Sequence, residues 1–227
     1  MTVGFRIVRD IARASKPLIQ AFAEIPTPLI SDNMNRMFAG GAGVRPIHRP
    51  GGPGGGMCGP ALTVRTRAGD NLMVHKAIDM AEPGDVIVVE AGGDLTNAII
   101  GEIMTRFGAS RGVAGFVIDG AVRDAGAIAA GTLPVFARGV THRGPYKDGP
   151  GEINVPIAID GMVIHPGDIV VGDEDGVVAV PRDQAAAILE LARAQVLAEG
   201  KTMKAIADGT LDRSWVDQRL VERGCKL

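Results

Sequence analysis

Glu102, Arg123 and Asp124 are the residues of this 227-residue chain whose types and spacing could do chemistry together. They sit at the two ends of GEIMTRFGASRGVAGFVIDGAVRD (Gly101–Asp124), with Asp119 just upstream of the second end. A carboxylate such as Asp124 holds a hard cation, Mg²⁺ for example, through few protein contacts, with water completing the shell. A neighbouring arginine keeps that carboxylate ionised and offers a planar fork to a substrate carboxylate. If a helix starts near Gly101, the free N–H groups of Gly101, Glu102, Ile103 and Met104 form an anion site with the helix dipole. A plainer reading stands beside this one. Asp124 opens a short helix, where an N-cap carboxylate is common, and the charges mark where buried segments reach water.

Other chemistries are disfavoured. The four histidines (His48, His75, His142, His165) have no HxxxH or HExxH spacing, so a histidine-rich zinc site is not expected. No GxSxG or Walker loop occurs, no GxGxxG joins a strand to a helix, and no motif for a methyl-donor cofactor is seen. With 24 basic and 26 acidic residues, a net charge of −2, no run of like charge and 4% aromatics, nucleic acid is not the expected partner. Two cysteines without a CxxC imply no disulfide scaffold, and no apolar run approaches the ~18 residues of a membrane span. A cytoplasmic protein is the expectation.

The elements that must position these residues follow from periodicity. Asp10–Phe38 reads as one or two helices, with Ser31 or Asp32 as N-cap of the second. The glycine-rich stretch Ala39–Gly56 reads either as a flexible loop or as backbone that approaches a ligand or another subunit. Cys58–Arg67 alternates like a strand, and Leu72, His75, Ile78 and Asp79 have helical spacing behind a cap at Asp70 or Asn71. Val86–Val89 is a buried strand after the turn Pro83–Gly84–Asp85. Ile99, Ile100, Ile103, Met104 and Phe107 fit one helical face. GVAGFVIDG and LPVFARG read as strands around a short helix, RDAGAIAAG. This alternation predicts an α/β fold. Asn154–Pro181 turns to short strands, with Asp160–Gly161 as a hairpin turn. Its PGDIVV echoes PGDVIVV, by shared turn chemistry or by an internal repeat. The remainder is an amphipathic helical arm, either solvated or packed on another subunit. The chain therefore reads as a single domain: a helical N-terminal part (about 1–38), a core (about 57–181) and a C-terminal arm (about 182–227).

PGDVIVVEAGGDLTNAIIGE, GVAGFVIDGAVRD and NVPIAIDGMVIHPGDIVVGDEDGVVAVP together resemble the RraA-like family, over roughly Pro26 to the C-terminal helices. Within it, the 4-hydroxy-4-methyl-2-oxoglutarate/4-carboxy-4-hydroxy-2-oxoadipate aldolases carry an acidic residue, twenty residues, then Arg–Asp. Glu102, Ile103–Val122 and Arg123–Asp124 meet that spacing, whereas the ribonuclease-regulator branch lacks the acidic residue. The resemblance implies an αββα sandwich with a swivelling β/β/α-type core and helical extensions at both ends, assembled as a homotrimer or homohexamer with active sites at subunit interfaces. It implies a lyase dependent on Mg²⁺ or Mn²⁺ that cleaves 2-oxo diacids to pyruvate through a metal-stabilised enolate, with oxaloacetate decarboxylation as a side activity. Asp124 would hold the metal, and Arg123 would bind the 2-oxo acid. The amides of Gly101, Glu102, Ile103 and Met104 would take its carboxylate, Glu102 would orient metal-bound water, and Asn71 and His75 would line the pocket. Glu199 would come from a neighbouring subunit. A ribonuclease-binding regulator, or another metal-dependent lyase or dehydratase on a sugar-derived acid, are the competing readings. GEIM in place of the branch's GEL, and a longer Gly51–Gly56 stretch, bear on specificity.

Overall fold

The computed structural model describes residues 3–37, 43–49 and 56–227; most of the glycine-rich stretch lies outside them. In chain order the elements are β1 (Phe5–Ile7), α1 (Lys16–Phe22), α2 (Thr27–Asn33), β2 (Arg45–Pro46), β3 (Met57–Thr66), α3 (Leu72–Met80), β4 (Val86–Glu90), β5 (Ala98–Ile100), α4 (Glu102–Ser110), β6 (Gly115–Val122), α5 (Ala125–Ala130) and β7 (Val135–Val140). Then come β8 (Gly151–Ile153), β9 (Ile157–Ile159), β10 (Met162–Ile164), β11 (Ile169–Asp173), β12 (Gly176–Val180), α6 (Ala185–Ala207) and α7 (Ser214–Glu222).

Strands β3, β4, β6 and β7 run parallel, and α3, α4 and α5 cross between successive pairs. Side chains alternate across a strand, so each of these strands has two apolar faces to bury. Ile87, Val89, Phe116 and Ile118 pack on Met73, Val74, Ile78, Met104 and Ile128 from the three crossover helices. Val86, Val88, Val117 and Phe136 point the other way, onto Ile157, Ile159, Met162, Ile164, Val170 and Ala179 of the last four strands. The opposite faces of β11 and β12 (Ile169, Val171, Val178, Val180) meet Phe22, Ile30, Ile188 and Leu189. Three apolar seams thus separate four layers, helix–sheet–sheet–helix, the αββα sandwich with flanking helices that the family resemblance implies.

β3 joins the two sheets. Its first residues, Met57–Pro60, pair antiparallel with β11, and Ala61–Arg65 pair parallel with β4. Gly59 stands at the handover, where any Cβ would overlap the carbonyl oxygen of Gly84.

Several local expectations are corrected. Ser31 and Asp32 lie inside α2; its first turn is capped from afar by Asp173, which accepts from Thr27 N (2.8 Å) and Thr27 Oγ1 (2.6 Å). Ahead of the N-terminal helices, β1 adds an edge strand beside β8. The buried face of α3 is Met73, Val74, Ala77 and Ile78, not the face through Leu72 and Asp79. Ile99 and Ile100 belong to β5, paired with β6, and α4 starts only after them. Consequently Ile103 (78% exposed) and Phe107 (45%) face outward while Met104 is buried.

Asp160–Gly161 does turn the β9–β10 hairpin, with φ of 50° and 82°. The PGD echo is shared turn chemistry. Gly84 and Gly167 both take positive φ, and Asp85 and Asp168 each accept from the N–H three residues back (Glu82, 3.0 Å; His165, 2.8 Å). The strands that follow both pair with β3, β4 in parallel and β11 antiparallel, and differ in their second neighbour, β6 and β12. After Ala192, α6 buries nothing in the chain, and α7 has no buried residue. Among the described residues, no helix is long and apolar enough to cross a membrane.

Gly59→Ala is expected to cost about 1–3 kcal/mol, because the added methyl meets backbone that cannot swing aside. Urea unfolding at neutral pH measures it.

Candidate functional site

The ends of β5 and β6 lie side by side, and the site grows from their pairing. Ile100 pairs with Val122, and Arg123 N donates to Ile100 O (3.0 Å), so Gly101 is drawn against Arg123 and Asp124. Gly101 has no room for a side chain: a Cβ would overlap Asp124 Oδ2 and lie 2.8 Å from Arg123 Cγ. Irregular register in β6, between Ile118 and Ala121 against β7, precedes this corner, as strand irregularities do where a side chain must be re-aimed.

Asp124 adopts a left-handed conformation (φ 58°, ψ 36°). It holds the N-cap position of α5 without a side-chain bond to that helix. Instead its Oδ2 accepts from Glu102 N (3.0 Å), the first N–H of α4, with Arg123 Nε at 3.7 Å. A left-handed aspartate costs of order 1–3 kcal/mol in backbone terms, and the bond across to α4 compensates part of that. Oδ1 has no hydrogen bond within the described structure, and the side chain is about half exposed. Ile103 N and Met104 N, next in the first turn of α4, have no backbone acceptor.

Beside this corner lies a cavity of about 190 Å³. Its wall includes Asn71, His75, Gly101, Ile103, Met104 and Arg123, six of the residues singled out from sequence, together with Pro145 and Lys147. Asn71 is 2% exposed; its Nδ2 donates to Ile99 O (2.9 Å) and meets Met104 Sδ (3.2 Å), while its Oδ1 is buried without a partner. Burial lowers the His75 pKa, the Lys147 charge lowers it further, and Asp79 partly offsets both. His75 is therefore neutral at pH 7. Glu102 turns its carboxylate away from the cavity to Arg106, one helical turn on (Oε1 to Nη2 2.7 Å, to Nε 2.8 Å). Glu199 is exposed on α6, in the opposite outer layer, hydrogen-bonded to Gln195 (3.0 Å), and is not in this cavity.

A cation's fit can be judged from the donors. Among the described residues no group of three or more His, Cys, Asp or Glu side chains could enclose a metal. A closed zinc-type centre is thus absent from them. What Asp124 offers is one accessible carboxylate oxygen, with Glu102 one residue beyond the glycine it touches. This suits a hard cation that keeps most of its water.

The strap Thr141–Pro150, which supplies Pro145 and Lys147, drew no functional reading from sequence. Two cations and a histidine in a Gly/Pro-rich connection (Arg143, Lys147 and His142) were the available signal.

This four-layer sandwich is consistent with one class of α/β proteins, and sequence comparison assigns the chain to it. The profile of the RraA-like family (Aldolase/RraA) matches residues 27–179, and the chain belongs to that family. A Halalkalibacterium halodurans protein named "Putative 4-hydroxy-4-methyl-2-oxoglutarate aldolase" is 39% identical over 201 residues, 88% of this chain and 94% of its own. Among solved structures, an uncharacterised Pseudomonas syringae pv. tomato protein superposes with a TM-score of 0.78 at 29% identity, covering 88% of this chain and 97% of its own. The RNA-processing inhibitor RraA of Thermus thermophilis gives 0.63 at 30% identity, covering 70% and 93%.

Lys147→Met is expected to raise the His75 pKa while leaving it below 6.5, since burial is the larger cause. The sign for stability follows. In the window between the lowered pKa and 6.5 the unfolded chain binds more protons than the folded one, so stability rises with pH there. NMR titration of the His75 ring in both proteins checks the shift. Gly101→Ala is expected to displace Asp124 from Glu102 N, read as faster hydrogen exchange at the Glu102 amide, with the far-UV circular dichroism unchanged.

Proposed function

We propose that this chain is a divalent-metal-dependent carbon–carbon lyase that cleaves 4-hydroxy-2-oxo diacids, of the 4-hydroxy-4-methyl-2-oxoglutarate kind, to pyruvate. The observation that carries it is the corner itself. An aspartate is held left-handed against the first amide of α4, beside an arginine, at the edge of a cavity with cationic and apolar walls. The family membership and the aldolase-named relative support the same reading.

Asp124 would hold Mg²⁺ or Mn²⁺, which when bound supplies a Lewis acid for the 2-oxo group. The chain's own groups then have distinct tasks. Free first-turn amides of Ile103 and Met104 take the 2-oxo acid's carboxylate, helped by the α4 dipole. The Arg123 guanidinium faces the oxo oxygen, where negative charge grows as the bond breaks. The C4 hydroxyl gives up its proton, the C3–C4 bond pair moves toward C2 and its oxygen, C4 becomes a carbonyl, and protonation at C3 yields pyruvate. Loss of CO₂ from oxaloacetate passes the same charge to the same oxygen, so decarboxylation accompanies cleavage. Glu102 serves as an acid–base or water-orienting carboxylate once it leaves Arg106. That exposed i,i+4 pair is worth only a few tenths of a kcal/mol, about 0.3–0.5, so the move is inexpensive.

Glu199 lies in the far layer, so its participation requires a second copy. The exposed apolar residues of α6 and α7, among them Leu197, Met203, Ile206 and Trp215, suit an arm packed on a neighbour in a homotrimer or homohexamer. Likeness to the Thermus RNA-processing inhibitor keeps a second reading, a non-catalytic regulator that binds a ribonuclease.

Purified protein with Mg²⁺ or Mn²⁺ is expected to release pyruvate from 4-hydroxy-4-methyl-2-oxoglutarate and from oxaloacetate in a lactate dehydrogenase-coupled assay. Asp124→Ala and Arg123→Ala should each lower kcat/KM at least 100-fold, with far-UV circular dichroism showing both variants folded at the assay temperature. No turnover with either metal, or full turnover in Asp124→Ala, would sink the lyase reading. A stable ribonuclease complex indifferent to both substitutions would favour the regulator.

A further inference from the structure

Asp70 is the most thoroughly enclosed carboxylate near the cavity and has no part in the chemistry above. It is 0% exposed, in the turn between β3 and α3. Its Oδ1 accepts from Leu72 N (3.0 Å). Its Oδ2 accepts from Asp148 N (2.8 Å) and Gly149 N (2.9 Å), with Arg67 Nη2 at 3.2 Å. Burial would push its pKa up, but the three amides and Arg67 outweigh burial and hold it below the ordinary aspartate value. The carboxylate is thus charged at working pH and gives two of its four contacts to the strap Thr141–Pro150, through Asp148 N and Gly149 N.

The same strap is stitched to the site at other points. Asn71 N donates to Tyr146 O (3.0 Å), Tyr146 N to Gly69 O (2.8 Å), Ala98 N to Arg143 O (2.9 Å) and Asn97 Nδ2 to Gly144 O (2.6 Å). Between these stitches and the Asp70 clamp stands Lys147. It lines the cavity, lies close enough to His75 to depress its pKa, and makes no ion pair with any described residue. Arg123 and the amides of α4 already provide for one carboxylate. Lys147, a cation without an ion pair among the described residues at this 190 Å³ space, is the complement of a second one.

We infer that Lys147 is a specificity-determining residue that reads the second carboxylate of a 2-oxo diacid, and that Asp70 is the positioning residue that holds it there by clamping the strap. This rests on the lyase reading for the location of the oxo-acid end, and adds which residue selects the far end and what fixes it. A lysine on an unclamped loop would wander, and its attraction for a carboxylate would be offset by the cost of ordering it. Asp70 removes the backbone part of that cost in advance.

The test compares binding of 2-oxoglutarate (two carboxylates) and 2-oxobutyrate (one) by calorimetry at fixed Mg²⁺, in the full chain. Wild type is expected to prefer the diacid by about tenfold or more, roughly 1.4 kcal/mol. Lys147→Met should abolish the preference and Lys147→Arg retain most of it. Asp70→Asn should lose most of it, with faster hydrogen exchange at the Asp148 and Gly149 amides. If Asp70→Asn does not fold, Gly149→Ala, which strains the strap at its positive φ (67°), takes its place. A selectivity ratio unchanged in Lys147→Met, or unchanged in a strap shown by exchange to be loosened, overturns the inference even if wild type releases pyruvate. A lost preference in both variants with no pyruvate release from wild type leaves this inference standing and sinks the lyase reading instead.

Discussion

Burial of both faces of the parallel strands is the constraint on which the rest depends. Val86, Ile87, Val88 and Val89 are all fully enclosed, as are Phe116, Val117 and Ile118. A sheet that apolar on two sides requires cover on two sides. Crossover helices supply one cover, and the β9–β12 strands supply the other. Those strands expose an outer apolar face of their own, which brings in α1, α2 and the start of α6 as a fourth layer. The long strand β3 makes the arrangement one body, since it is hydrogen-bonded into both sheets.

The site inherits its rigidity from this. Arg123 and Asp124 continue a strand with all eight residues buried, and Glu102 opens a helix anchored by Met104, Thr105 and Gly108. What remains mobile in principle is at the tips: Glu102 on Arg106, and the half-exposed side chains of Arg123 and Asp124. A fixed frame with adjustable ends is the arrangement in which a carboxylate and a guanidinium meet a small anion without rebuilding backbone.

Much of this was legible in the sequence, and the misses have physical causes. Val86–Val89 and GVAGFVIDG declare strands because β-branched runs bounded by turns do little else, and Asp160–Gly161 declares its hairpin because both residues tolerate positive φ. The partition of Ile99 and Ile100 from α4 was not legible. Two adjacent isoleucines satisfy a helical stripe as well as a buried strand, and only pairing with Ala121 and Val122 decides. Asp173 capping Thr27 across 146 positions leaves no local mark, so local sequence places the cap inside the helix instead. The site divides similarly. Glu102 and Arg123–Asp124 are readable as a spacing, whereas Asp70 looks like any aspartate before a helix. Its value lies in Asp148 and Gly149, which no window of sequence brings near it.

That distance has a consequence for how the molecule comes into being. The clamp joins positions 78 and 79 residues apart, and forms only after β7 has been laid down and the chain has returned to β8. The βαβ units, rich in nearer contacts, pay less loop-closure entropy and are free to assemble first. On the ribosome, a nascent chain that has emerged only as far as Val140 would hold its βαβ segments with one sheet face still uncovered, and Asn71, His75, Met104 and Arg123 without the strap beside them. The strap and then β9–β12 follow, so the acidic corner is made before both the wall and the cover that it needs.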